Sequence, residues 1–203
     1  MQTVKKALII AAIVVVVLVL ALGAKTAGAY NKIIAAEEGV KSSWAQVENV
    51  YQRRYDLVPN LVATVQGEAD FEKSTLTEVI DARSRLGGTI KIDENMLGDE
   101  AAMKRFQESQ ATLGGALQRL MMVTENYPNL KANQAFQDLR VQLEGAENRI
   151  AVERKRYNEA VRDFNTLIRQ FPTNLVAGFA GASPKVPFAA DAAASVAPKV
   201  EFK

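Results

Sequence analysis

Two adjacent arginines, Arg53 and Arg54, sit six and five residues before Pro59 in the stretch VYQRRYDLVPNLVATVQG, Val50 to Gly67. A guanidinium binds carboxylate or phosphate through paired N–H groups, so an anion clamp is the first chemistry this pair calls to mind. Such a clamp needs a second convergent cation and a pocket, whereas a structural ion pair needs only one carboxylate from a neighbouring element. The acid pairs Glu37-Glu38 and Asp99-Glu100 have the donor type of a metal site or an acid/base couple. They read better as helix-start charges set against the positive end of the dipole. KIDENMLGDE lacks the full pattern of a calcium loop. Gly87-Gly88 and Gly114-Gly115 lack the lysine and the strand-to-helix setting of a phosphate loop. The second glycine pair is expected inside a helix, where it would admit a neighbouring helix at about 1 kcal/mol per glycine relative to alanine. ERKRY, Glu153 to Tyr157, groups three cations, but Glu147, Glu153, Glu159 and Asp163 lie within helical reach, which makes it a solvated charged face. No residue is assigned to catalysis, to a metal or to a cofactor.

Composition narrows the field further. The chain has 203 residues, enough for one domain with appendages, and a net charge of +2 with cations and anions interleaved. Without a concentrated basic face, nucleic acid is not an expected partner. The absence of cysteine excludes disulfides, thiolate chemistry and a lipid-modified cysteine, and the absence of histidine removes the commonest general base and metal ligand.

Residues 1–6 are a short flank carrying Lys5 and Lys6, and residues 7–24, ALIIAAIVVVVLVLALGA, form an uncharged apolar run close to the length that crosses a bilayer core. Ala27-Gly28-Ala29 resembles a signal-peptide processing site, but the run exceeds the apolar region of about 7–15 residues in such peptides, so an uncleaved transmembrane anchor is the better reading. Lys25 and Lys32 nearly balance the lysines on the other side, and the order of lysines before apolar run places the body outside the cytoplasm.

After the anchor, apolar residues recur every three or four positions. Val40, Trp44, Val47, Tyr51, Val58, Leu61 and Val65 make one seam, with Arg54 on the inward position between Tyr51 and Val58. Leu76, Val79, Ile80 and Leu86 make a second, ending at Gly87-Gly88, which favour conformations a helix does not. Met103, Phe106, Gln110, Leu113, Leu117 and Leu120 make a third. YPNL reads as a tight hairpin into a last helix with Phe136, Leu139, Leu143, Ile150, Tyr157, Phe164 and Phe171 on its seam. From Asn129 that helix would extend about 64 Å at 1.5 Å per residue. The core is thus expected to hold Trp44, Tyr51, Leu61, Phe106, Leu117, Phe136, Ile150, Tyr157 and Phe164. The period excludes a sheet, since only Thr89 to Ile92 looks strand-like.

The predicted fold is all-α: an N-terminal transmembrane helix followed by an elongated antiparallel four-helix bundle over residues 25–172, with coiled-coil-like packing. Residues 173–203 read as an Ala- and Pro-containing, partly disordered tail with too few large apolar groups for a second core. Its opening LVAGFAG would rest at the membrane surface if the last helix descends to the bilayer.

The segments EEGVKSSWAQVENVYQRRYDLVPNLVATVQG, EKSTLTEVIDARSR and NYPNLKANQAFQDLRVQLEGAENRIAVERKRYNEAVRDFNTLIRQFPTN, with the APKVEF ending, resemble the bacterial LemA family over nearly the whole chain. The resemblance implies a membrane-anchored helical bundle whose biochemical role is not established at family level. It brings no catalytic residues, and the envelope-protein genes that lie near many members' genes imply an assembly partner.

An inward guanidinium is costly unless paired, so Arg54 should meet Gln110 on the third helix and Glu144 or Glu147 on the last, a polar layer that fixes helix register. Pro59 lacks an amide hydrogen and crowds the carbonyl of Tyr55, which predicts a kink near Asp56 to Pro59, or one helix ending there and another beginning. The functional expectation is a non-enzymatic scaffold or interaction module, single-pass in the inner membrane, with the bilayer as partner through residues 7–24, another envelope or membrane protein as partner through the bundle, and self-assembly as a weaker option. The alternative is a sensor binding a small anion near Arg54.

Overall fold

A computed structural model describes residues 2–68, 71–87 and 97–189, with side chains from residue 9 onward. Gly88, the strand-like Thr89 to Ile92, the acidic loop as far as Met96 and the tail from Ala190 lie outside the described residues, as do the side chains of Lys5 and Lys6. The described elements are all helical, with no strand among them: α1 (Gln2–Gln66), α2 (Lys73–Leu86), α3 (Glu100–Thr124), α4 (Pro128–Ala132), α5 (Gln134–Arg169) and α6 (Thr173–Phe179).

The 65-residue α1 begins at Gln2, ahead of the apolar run, and continues through it into the packed body without a break at Lys25. Its most apolar 18 residues have a mean hydropathy of 2.7 and none of that window is buried, which separates it from the core helix of a soluble protein. Packing starts at Ile33 and Val40, where the residues of the seam become fully buried.

Two apolar clusters fill the body. One joins Ile33 to Tyr51 of α1 with Met103 and Phe106 of α3 and Ile150 to Ile168 of α5; the other joins Val58 to Val65 with α2, Leu113 to Leu120 and Phe136 to Leu143. Trp44 meets Tyr157 and Arg54 meets Glu147, so residue numbers fall along α5 as they rise along α1. Trp44, Tyr51, Leu61, Phe106, Leu117, Phe136, Ile150, Tyr157 and Phe164 are all buried. Ile80, by contrast, is exposed, and Thr75 and Ala82 take buried positions on α2 instead.

Four expectations need correction. First, the last helix does not start at Asn129. Pro128 opens the short α4, Asn133 then adopts an extended conformation (φ −71°, ψ 119°), and its side chain accepts from the Phe136 amide to cap α5. The resulting α5 has 36 residues, about 54 Å at the standard rise. Second, α2 ends at Leu86 before Gly87 as expected, but Gly87 keeps an ordinary right-handed conformation with φ −55° rather than one a helix disfavours. Third, α1 runs through Pro59, so no second helix begins there. Fourth, Phe171 is not a seam residue but an exposed one beyond the end of α5.

The segment after α5 is also more structured than its composition announced. It forms α6 and then an extended strap, residues 182–189, which returns along the body. The reason lies in the shortness of α2. That helix ends at Leu86, and the lower cluster contains no α2 residue; Leu97, Val176, Ala177 and Phe188 take part there.

Candidate functional site

Arg54 enters the core where the two apolar clusters meet. It lies three residues after Tyr51 and four before Val58, both buried, so the helical period turns its side chain inward. The residue is only 3 % exposed. Its Nη1 donates to Glu147 Oε1 at 3.0 Å, and its Nη2 donates to the Gln110 carbonyl oxygen at 3.1 Å and to Gln110 Oε1. The guanidinium carbon also lies 5.1 Å from the centre of the Tyr51 ring. Glu147 keeps 43 % of its side chain in solvent, so only one charge of the pair is removed from water. Glu144 does not join this group. It pairs with Arg140 Nε at 3.3 Å on the surface. Arg53, about 100° round the helix from Arg54, is exposed.

The proline five residues on is served by a second arginine. Pro59 has no amide to give to the Tyr55 carbonyl, and Arg83 Nε of α2 donates to that oxygen at 3.4 Å while its guanidinium stacks 4.0 Å above the Tyr55 ring. A carbonyl freed by proline thereby acquires a donor from the neighbouring helix.

A cleft of about 280 Å³ opens beside Arg54, lined also by Gln107, Gln110, Gly114, Glu147 and Arg154. Here the reading of Gly114-Gly115 as a close helix contact is corrected. A Cβ at Gly114 would meet Arg54 Nη1 at 3.5 Å and nothing nearer, and one at Gly115 would meet nothing within 4 Å. The pair leaves open space at the cleft rather than admitting a backbone.

The remaining charged candidates are placed as follows. Asp99 caps α3, its Oδ1 accepting from the Ala101 and Ala102 amides at 2.8 and 3.1 Å. Glu37 and Glu38 are not helix-start charges, since they lie in the middle of α1; Glu38 pairs with Lys41, and Glu37 pairs with Lys185 of the strap at 2.7 Å. In ERKRY, Arg156 and Lys155 pair with Glu153 and Glu159 on the surface, but Arg154 does not belong to a purely solvated face. It covers the Phe188 ring at 4.9 Å and donates to the Ala189 carbonyl. Among the described residues no group of three acidic side chains converges to hold a metal ion.

The strap itself is the part that sequence reasoning missed. Asn158 and Asn165, two turns apart on α5, each grip one strap residue in both directions: Asn158 donates to the Phe188 carbonyl and accepts from its amide, and Asn165 does the same for Lys185. Tyr157 donates its hydroxyl to the Val186 carbonyl at 3.0 Å, the Val186 amide donates to Leu97, and Gln107 Oε1 accepts from the Ala189 amide. Phe188 drops into an aromatic nest, stacked on Trp44 at 5.9 Å and edge-on to Tyr157 at 5.5 Å. Burial drives the Tyr157 phenol well above its ordinary value. The available signal was the seven-residue spacing of two amides beside the aromatic seam.

The chain is 29% identical over 167 residues to magnetosome protein MamQ 2 and to magnetosome protein MamQ 1 of Paramagnetospirillum magneticum, covering 75% of this chain and 61% of each relative. It is 23% identical over 150 residues to protein LemA of Metamycoplasma hominis, covering 74% of this chain and 64% of that one. The chain thus spans under two thirds of the length of these curated relatives. The model of the LemA family matches residues 43–202, from the first turns of the packed part of α1 to the last residues of the sequence, and the chain belongs to the LemA family.

Proposed function

We propose that the chain is a non-enzymatic scaffold or interaction module of the bacterial cell envelope, held in the inner membrane by residues 7–24 and carrying an antiparallel four-helix bundle on the extracytoplasmic side. The observation that carries this reading is the continuity of α1: the apolar span and the bundle core share one helix with no linker between them. From Lys25 to Gln66 that helix rises about 63 Å, so a partner met at the far end is held at a fixed distance from the bilayer. The hydrogen-bonded group of Arg54, Gln110 and Glu147 supports a role in setting helix register, because any slide of α5 along α1 would strand a buried guanidinium. A bend at Pro59 would let a helix rising from the membrane lean over its partners. Relatives named as magnetosome proteins fit a membrane-associated role. The test is photo-crosslinking in living cells from residues introduced at the exposed positions Met122 and Val141, together with a cytoplasm-dependent reporter fused after Lys203. The expected result is a discrete adduct in the membrane fraction with an inactive reporter. No adduct from any exposed bundle position argues against a scaffold, and an active reporter reverses the orientation.

A second reading has one observation in its favour, a cleft lined by both Arg54 and Arg154. As an anion sensor it requires both cations to turn from their present partners, Glu147 and Gln110 for one and Phe188 and the Ala189 carbonyl for the other. Titration of the reconstituted full chain with inorganic phosphate, followed by Trp44 emission, separates the two: a saturable change abolished by Arg54→Met supports the sensor, and an unchanged spectrum removes it.

A further inference from the structure

One apolar surface on the body has no partner among the described residues. Helix α6 buries Val176 and Ala177 in the cluster that holds Ile33, with Ala29 packed against it; Trp44 meets Tyr157 twelve residues before the end of α5, so Arg169 is level with about Lys32 of α1 and α6 follows from there. Phe171, Leu175 and Phe179, spaced four apart, remain 80 %, 60 % and 96 % exposed. A 3.6-residue period places Leu175 and Phe179 on one stripe, opposite the buried pair. This stripe stands at a defined height. Ala29 follows Ala24, the end of the apolar run, by five residues, about 7.5 Å of helical rise. The polar layer on each side of a bilayer core is about 5–7.5 Å thick, which puts α6 level with the headgroups when the run spans the core. Exposed Lys25, Lys32 and Arg169 belong to the same end of the molecule, where cations meet lipid phosphates, and Tyr30, half-exposed on α1, suits that layer too.

We propose that α6 is a second membrane contact: Phe171, Leu175 and Phe179 insert into the headgroup and upper acyl region of the bilayer that α1 crosses, fixing the bundle's tilt and rotation. The proposal rests on the membrane-anchored reading above and holds for either orientation. One anchor helix leaves the body free to spin about its axis, whereas a second contact to one side of that axis selects a single face to meet the lipid. The buried α6 face supplies the coupling, because Val176 and Ala177 are part of the core that includes Trp44 and Tyr157.

The absence of cysteine permits single-site labels on the full chain in vesicles of phosphatidylethanolamine and phosphatidylglycerol. Fluorophores are placed through Leu22→Cys in the span, Gly178→Cys beside the stripe, where a side chain meets nothing within 4 Å, and Met122→Cys at the far end. Each is quenched separately by aqueous iodide and by lipids carrying a nitroxide near the headgroup. The expected result is lipid quenching of the Gly178 label, with iodide quenching at least about fivefold weaker than at Met122. The triple variant Phe171→Ser, Leu175→Ser, Phe179→Ser should return iodide quenching to the Met122 level with helicity unchanged, since all three side chains face solvent. Iodide access at Gly178 equal to that at Met122, with Leu22 buried in lipid, overturns the contact and leaves the anchor intact. Protection at Gly178 from both quenchers means that protein covers the stripe, and this also overturns it. Iodide access at Leu22 removes the anchor and the contact together.

Discussion

Replacing Phe188 with alanine tests whether the strap is part of the core or only rests on it. Phe188 is 4 % exposed, so truncation returns most of a phenyl ring's burial, about 1.5–3 kcal/mol. It also removes aromatic contacts with Trp44 and Tyr157, each adding about 0.5–1.5 kcal/mol. Large-to-small substitution of a core Phe ordinarily costs about 3–5 kcal/mol, but here the loss has a ceiling. Once the cost exceeds the docking energy of residues 182–189, the strap detaches and the Asn158 and Asn165 amides are hydrated instead of orphaned. The expected loss is therefore at the low end, about 3 kcal/mol, or about 6–12 °C in Tm for a domain of this size. Trp44 is the only tryptophan and stacks on Phe188, so its emission should shift to the red before the helices melt. The full chain in detergent or vesicles, followed by far-ultraviolet circular dichroism and by Trp44 emission, gives both readouts. A Tm within about 2 °C of the parent together with an unshifted emission maximum would refute the argument that Phe188 completes the lower core.

Three further outcomes follow from the same geometry. Glu147→Ala should cost about 2–4 kcal/mol despite the partial exposure of Glu147, because it leaves the charge of Arg54 buried without a carboxylate, whereas Arg54→Met should cost no more than about 1 kcal/mol; chemical denaturation that ranks these in the reverse order contradicts the register role. Gly115→Ala should stabilise by up to about 1 kcal/mol, since the helix gains propensity and the new methyl meets nothing within 4 Å; a lower Tm would reveal a contact absent from this structure. Tyr157 carries a folded-state phenol raised above its unfolded value near 10, so its contribution is fully present below about pH 10 and declines as pH rises further, by about 1.4 kcal/mol per pH unit. Denaturation of the parent and of Tyr157→Phe between pH 8 and 11 should therefore show about equal pH dependence below 10 and a steeper loss for the parent above it.

The contrast between what the sequence disclosed and what it withheld follows the range of the interactions involved. Trp44, Phe106, Tyr157 and Phe164 could be placed on inward seams because a helix repeats every 3.6 residues and each seam is visible within its own segment. Arg54 was legible for a related reason: a charge on an apolar seam breaks the local pattern and so demands a partner, and the level of the helices narrowed that partner to one turn of α5. Choosing Glu147 over Glu144 required the helix rotation, which periodicity fixes only to within a residue or so. The strap left no such trace. Its backbone is extended and satisfied by side chains of another element, so SPKVPF contains no period of its own, and Phe188 reads as one aromatic among prolines. What places it is a deficit elsewhere, the early end of α2, which leaves Trp44 without a helix on one side. A vacancy in one part of a chain is filled by a segment about a hundred residues away, and that dependence is nonlocal in sequence though short in space. The same reasoning explains α6: it buries Val176 and Ala177 in the core, and its large apolar residues Leu175 and Phe179 are exposed among the described residues. The lower end of the molecule is thus organised by surfaces that helical seams do not specify, and there the orientation of the body relative to its anchor is decided.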